Sequence, residues 1–134
     1  MRYETILAPL KMGDVDSPVL EHAGTLARLS GARLVLLIVA HGHTRDANAF
    51  LREQAEAYLL ERASRLVADG LVVETRVVEG EPDEGILRTA EDEKAGLVVM
   101  ATHGHGQVRH LLLGSVTEAV LRAGDVPVLL VKAH

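Results

Sequence analysis

Cysteine and tryptophan are absent from this chain and phenylalanine occurs once, so several kinds of protein drop out before any motif is read. Without a thiol, neither a disulfide framework nor a thiolate-held metal is available. With aromatics at only 2%, the platforms on which single-stranded bases stack are missing. A cationic surplus is missing too: the formal net charge is -5, whereas a phosphate backbone calls for clustered Lys and Arg. Nucleic acid is therefore not an expected partner. No apolar run approaches the roughly 20 residues that cross a bilayer, and the stretch from Met1 to Leu10 carries Glu4 and no long apolar core. A cytoplasmic protein with no membrane partner is the expectation.

What remains is aliphatic. The 134 residues are 48% hydrophobic and 25% charged, globular values at a length typical of one domain, here expected to span residues 1–134. A core made of Val, Leu, Ile and Ala suits parallel strands covered by helices, because branched side chains then pack on both faces of the sheet.

Apolar runs alternate with helix-period stretches from end to end, which predicts five strands and four helices in an open, parallel, Rossmann-like α/β sheet with helices on both faces. The strands are expected at Thr5 to Pro9, Arg33 to Val39, Val72 to Glu79, Leu97 to Ala101 and Val126 to Val131. Ser17 followed by Pro18 predicts a capped helix start, with Leu20, Ala23 and Ala27 buried and Gly31 as the left-handed stop. A long helix is expected over Ala47 to Asp69, with Leu51, Ala55, Leu59, Ala63 and Leu66 inward and Gly70 ending it. After the turn at Gly80-Glu81-Pro82, Ile86, Leu87 and Ala90 mark a short helix that ends before Gly96. Ser115 and Glu118 read as a capping box for a last helix with Val116, Ala119, Val120 and Ala123 as its stripe. Pro127 lacks a ladder donor and belongs at a strand start or an edge, so the apolar run around it is expected to pair with a second copy of the chain.

In open parallel sheets ligands sit outside the carboxyl ends of the strands. The segment from Thr102 to Ser115 leaves the fourth strand there and is too long for a simple connector, since such loops usually run about 2 to 6 residues. It holds Gly104, Gly106 and Gly114 and ends at a helix amino terminus, where unpaired amides and the helix dipole favour an anion. Hydroxyls at Ser115 and Thr117 could serve the same anion, although a cap alone would also explain Ser115. The spacing is neither a P-loop nor a dinucleotide fingerprint.

The run Ala101-Thr102-His103-Gly104, nine residues, then Gly114-Ser115 resembles the Gly-x-x-Gly, nine residues, Gly-Ser/Thr signature of ATP-binding universal stress proteins. The likeness extends from Ile6-Leu7-Ala8-Pro9 through Glu79-Gly80-Glu81-Pro82 and Leu97 to Met100, as far as Pro127 to Val131. It implies a sheet in the order 3-2-1-4-5, a homodimer through the last strands, and an adenine nucleotide at the strand ends: ATP, or AMP or ADP, with or without a magnesium ion. Carried over residue by residue, Pro9 and Leu10 border the nucleotide and Val39 meets adenine through its backbone. Met100, Ala101, Thr102, His103, Gly104, His105, Gly106 and Gln107 surround ribose and phosphates, and Gly114, Ser115, Val116 and Thr117 take the phosphate tail. The family implies a regulatory stress-response module read by a protein client that the sequence does not name. Two positions depart from the pattern. Ala101 replaces the first glycine, and Lys11 stands where nucleotide-binding relatives usually carry Asp; Asp14 or Asp16 could replace that carboxylate, or Lys11 could meet phosphate as a point charge.

His41-x-His43 and His103-x-His105 invite comparison with a zinc or nickel site. One strand separates the two pairs, which puts them about 10 Å apart, so solvated loop histidines or donors near a phosphate are the preferred reading and no metal site is expected. Glu81, Asp83 and Glu84 read as ordinary first-turn charge. No nucleophile elbow is present, and catalysis is not indicated beyond slow ATP hydrolysis by a positioned water and a metal ion. The competing readings are a nucleotide-free interaction dimer and a His-based metal-dependent hydrolase.

Overall fold

The computed structural model describes residues 3–102 and 114–132. Five strands, β1 (Thr5–Pro9), β2 (Arg33–Ala40), β3 (Val73–Glu79), β4 (Leu97–Thr102) and β5 (Val128–Lys132), alternate with four helices, α1 (Asp16–Ser30), α2 (Arg45–Ala68), α3 (Pro82–Asp92) and α4 (Ser115–Ala123). All the pairings are parallel, in the order β3-β2-β1-β4-β5. The first three strands run outward from β1 on one side, and the chain then returns to place β4 and β5 on the other. The switch point lies between β1 and β4.

Alternate residues of each strand feed two cores. Ile6, Ala8, Leu34, Leu36 and Ile38 face α1 and α2, while Leu7, Val35, Leu37, Val98 and Met100 face α3 and α4. Fully buried aliphatics such as Leu34, Leu37 and Leu59 each contribute about 1.5–3 kcal/mol of hydrophobic stabilisation. The helices meet these faces with small residues, Ala23 and Ala27 on α1 and Ala55 and Ala63 on α2, so backbone and sheet come close.

The element order agrees with the sequence reading; the starts of the helices do not. Helix α1 begins at Asp16 with Val15 as N-cap and no side-chain cap. Pro18 is thus its third residue, still inside the turn where a missing amide hydrogen costs nothing. Helix α2 begins two residues earlier than expected because Thr44 caps it, its side chain accepting from the Ala47 amide at 3.0 Å. Ser115 is the first residue of α4 rather than its cap. The N-cap is Gly114 at φ 79°, and no side-chain cap bond forms, so the capping box is not made. Strand β5 begins at Val128, and Pro127 stands just before it with its carbonyl accepting from the Val98 amide.

Candidate functional site

A cleft of about 310 Å³ opens beyond the carboxyl ends of β1, β2 and β4, at the lower end of the range of small-molecule sites, about 300–1,000 Å³. Ile38 and Val39 come from β2, Met100 and Ala101 from β4, and Pro9 and Leu10 from β1 and its exit. Pro82 and Ile86 of α3 and Val116 and Thr117 of α4 close the opposite wall. The lining is mostly aliphatic, yet the amino ends of α3 and α4 both reach it. Neither helix has a side-chain cap, so the first-turn amides of α4 are available to a ligand, whereas α3 opens on Pro82, which has no amide hydrogen, and carries Asp83 and Glu84 in its first turn.

A larger hollow, about 570 Å³, lies between the ends of α3 and α4 and the entry to β5, with Lys94, Gly124 and Pro127 among its walls. It is the weaker candidate. The carboxyl ends of both helices face it, so no first-turn amides serve it, and it lies away from the strand ends where open α/β sheets bind ligands.

The loop that leaves β1 is organised by one carboxylate. Asp16, 2% exposed, accepts from the Lys11 amide at 2.8 Å through Oδ1, and from the Met12 and Gly13 amides at 2.7 and 3.3 Å through Oδ2. The Tyr58 hydroxyl of α2 donates to the same Oδ2 at 2.6 Å. Burial first, and then the hydrogen bond to Asp16, push the Tyr58 hydroxyl up from 10.0 to about 12. The Arg62 guanidinium stacks over the Tyr58 ring, 4.2 Å from its centroid. Asp16 is therefore committed to its own loop and is not a spare carboxylate for a ribose, whereas Asp14 is exposed and outside the cleft.

Seven of the residues carried over from the family resemblance converge here, Pro9, Leu10, Val39, Met100, Ala101, Val116 and Thr117, and Lys11 and Asp16 join them. Thr102, Gly114 and Ser115 lie at the margin rather than in the lining, and the Thr102 hydroxyl donates to the Val131 carbonyl at 3.4 Å. His103, Gly104, His105, Gly106 and Gln107 lie outside the described residues. Sequence reasoning missed Met12, Val15, Ile38, Pro82 and Ile86 as lining residues. Pro82 as the opening residue of a helix that follows a strand was the available signal, since that position places the helix amino end beside the strand ends.

His41 does not enter the cleft. Its Nδ1 is 3.1 Å from the Gly80 carbonyl, and its ring meets His43 edge-on at 5.9 Å. Both rings are exposed. Among the described residues no group of three His, Asp or Glu could hold a metal ion. Asp83 and Glu84 occupy the first turn of α3, as expected for dipole-compensating charge. No described helix is long and apolar enough to cross a membrane.

An all-parallel sheet in this order, with its cleft at the switch point, defines an open α/β protein of Rossmann-like type. The chain belongs to the universal stress protein family, whose sequence profile matches residues 2–132. It is 30% identical to universal stress protein MJ0531 of Methanocaldococcus jannaschii, over 97% of this chain and 82% of that one. It is 34% identical to a universal stress protein of Thermus aquaticus, over 97% and 99%. The solved structure of MJ0577, from the same Methanocaldococcus, superposes with a TM-score of 0.86 at 30% identity, covering 100% of this chain and 99% of that one. The crystal structure of a universal stress protein in complex with cAMP superposes at 0.80 with 27% identity, covering 100% of both chains.

Proposed function

We propose that the cleft takes an adenine nucleotide, ATP or its relatives ADP and AMP, with or without magnesium, and that its occupancy is what a client protein reads. The observation that carries this reading is the aliphatic slot at the switch point with the uncapped amino end of α4 on its far side. Val39, Met100 and Ile86 offer apolar surface to a flat base, and the first-turn amides of α4 offer donors to phosphate oxygens. Pro9, Leu10 and Ala101 border the sugar, and Gly114, Ser115, Val116 and Thr117 take phosphates. The relative bound to cAMP supports an adenine ligand.

Strand β5 is a sheet edge, with Leu129 36% exposed. An uncovered apolar edge invites pairing, so this reading includes a homodimer joined over Val126 to Val131. A nucleotide can shift such an assembly only by binding its two states unequally.

Thermal unfolding with ATP, ADP, AMP and NAD tests the proposal. A nucleotide at a hundred times its Kd adds about 2.7 kcal/mol, or about 10 °C in Tm for a chain of this length. No shift with any adenine nucleotide at millimolar concentration rejects it.

A further inference from the structure

The charge inventory of the cleft is short. Among the described lining residues only Lys11 is cationic and only Asp16 is anionic. Asp16 is spent: both of its oxygens accept hydrogen bonds, three from backbone amides and one from the Tyr58 hydroxyl. A carboxylate satisfied in this way presents little free acceptor capacity to a ligand. Lys11 is the opposite case. It is exposed at the rim and has no ion-pair partner among the described residues.

Its backbone, moreover, is held in place. The Lys11 amide is one of the three donors to Asp16, and the next residue, Met12, sits at φ 59°. That conformation is uncommon for a side chain of this type and persists only where neighbouring contacts impose it. The two bonds from Asp16 to Lys11 and Met12 do so. The loop therefore fixes the base of a long cationic side chain at the rim of a slot whose opposite wall includes the uncapped first turn of α4.

We propose that Lys11 is the residue by which the cleft distinguishes phosphate-bearing nucleotides from the bare nucleoside. This rests on the adenine-nucleotide reading above and adds the group that reads charge. Lys11 meets a phosphate oxygen as a point donor, while Asp16 and Tyr58 act as positioning residues through the loop backbone.

Titration calorimetry with adenosine, AMP and ATP tests this on the wild type, Lys11→Met and Lys11→Arg. In the wild type Kd falls from adenosine to ATP. In Lys11→Met the ratio of the adenosine Kd to the ATP Kd drops by about tenfold, the worth of one charge-assisted hydrogen bond at a solvated rim. Lys11→Arg keeps most of the ratio, because charge rather than exact shape is being read. A ratio unchanged in Lys11→Met, or a wild type that binds adenosine and ATP equally, overturns the role of Lys11 and leaves the adenine site standing. A wild type that binds none of the three overturns both.

Discussion

At the scale of single residues, the cleft depends on a buried acid that touches no ligand. Asp16 holds three amides and a phenol, and an Asn there keeps one acceptor oxygen while turning an NH2 toward backbone donors. Asp16→Asn is expected to cost about 2–4 kcal/mol, the loss of charge-assisted bonds in a buried site, and chemical denaturation measures it. The Tyr58 hydroxyl gives an independent readout. Because the fold holds its proton up to about pH 12 whereas the free group releases it near 10.0, the stabilisation it contributes is complete below pH 10 and fades as pH climbs between those values. A tyrosinate absorbance titration should show a phase near pH 12, and Tyr58→Phe should abolish it. Neither the bond nor its consequence was legible beforehand. Asp16 and Tyr58 are 42 positions apart, and only the packing of α2 over the β1 exit brings them together.

At the scale of elements, α3 shapes the cleft through a residue with no side chain. Gly85 lies in its first turns, and a Cβ there would stand 2.8 Å from Cγ2 of Val39 and 3.2 Å from Cγ2 of Val78. Since Val39 lines the cleft, Gly85→Ala displaces the very side chain that faces the ligand. Overpacking costs about 1–3 kcal/mol, and the gain in helix propensity returns about 1 kcal/mol. A net loss of about 1 kcal/mol in a urea melt, with weaker nucleotide binding by calorimetry, is the expected result. The positions of the strands were readable because a strand buried on both faces must be a continuous aliphatic run, as Leu34 to Ile38 and Leu97 to Met100 are. The helix starts were not, because they are set by partners that local pattern does not reveal. Asp16 turned inward instead of leaving the start to Ser17, and Gly114 took the turn that Ser115 was expected to cap.

At the scale of the molecule, an ion network ties the amino side of the sheet together. Arg33 at the start of β2 donates to Glu93 at 2.9 Å and to Thr5 of β1 at 3.2 Å, pairs with Glu74 of β3, and shares Glu93 with Arg76 of β3 at 3.0 Å. The Arg33 hydrogen bond, opposed by burial and aided by Arg76, holds the Glu93 carboxyl below its ordinary 4.5. The network is therefore intact above that value, and its stabilisation is lost as pH falls through the lowered one. Glu93→Gln should cost about 1 kcal/mol near neutrality, given partial solvent screening, and should flatten the acid limb of a plot of stability against pH. The succession of strands and helices was legible from composition and punctuation, whereas the strand order and the seven cleft residues came from the family resemblance. The far wall of the cleft was not legible, because Pro82 and Ile86 reach it only through the way α3 crosses the sheet.

The strand order also dictates when the molecule can be finished. The central strand β1 precedes both of its neighbours in the chain, and one of its flanks is filled soon after by β2, but the other waits for Leu97 and Val98. A chain emerging from the ribosome thus carries a half-paired strand, apolar from Ile6 to Pro9, until β4 follows. Chains cut short before β4 would be the sticky ones.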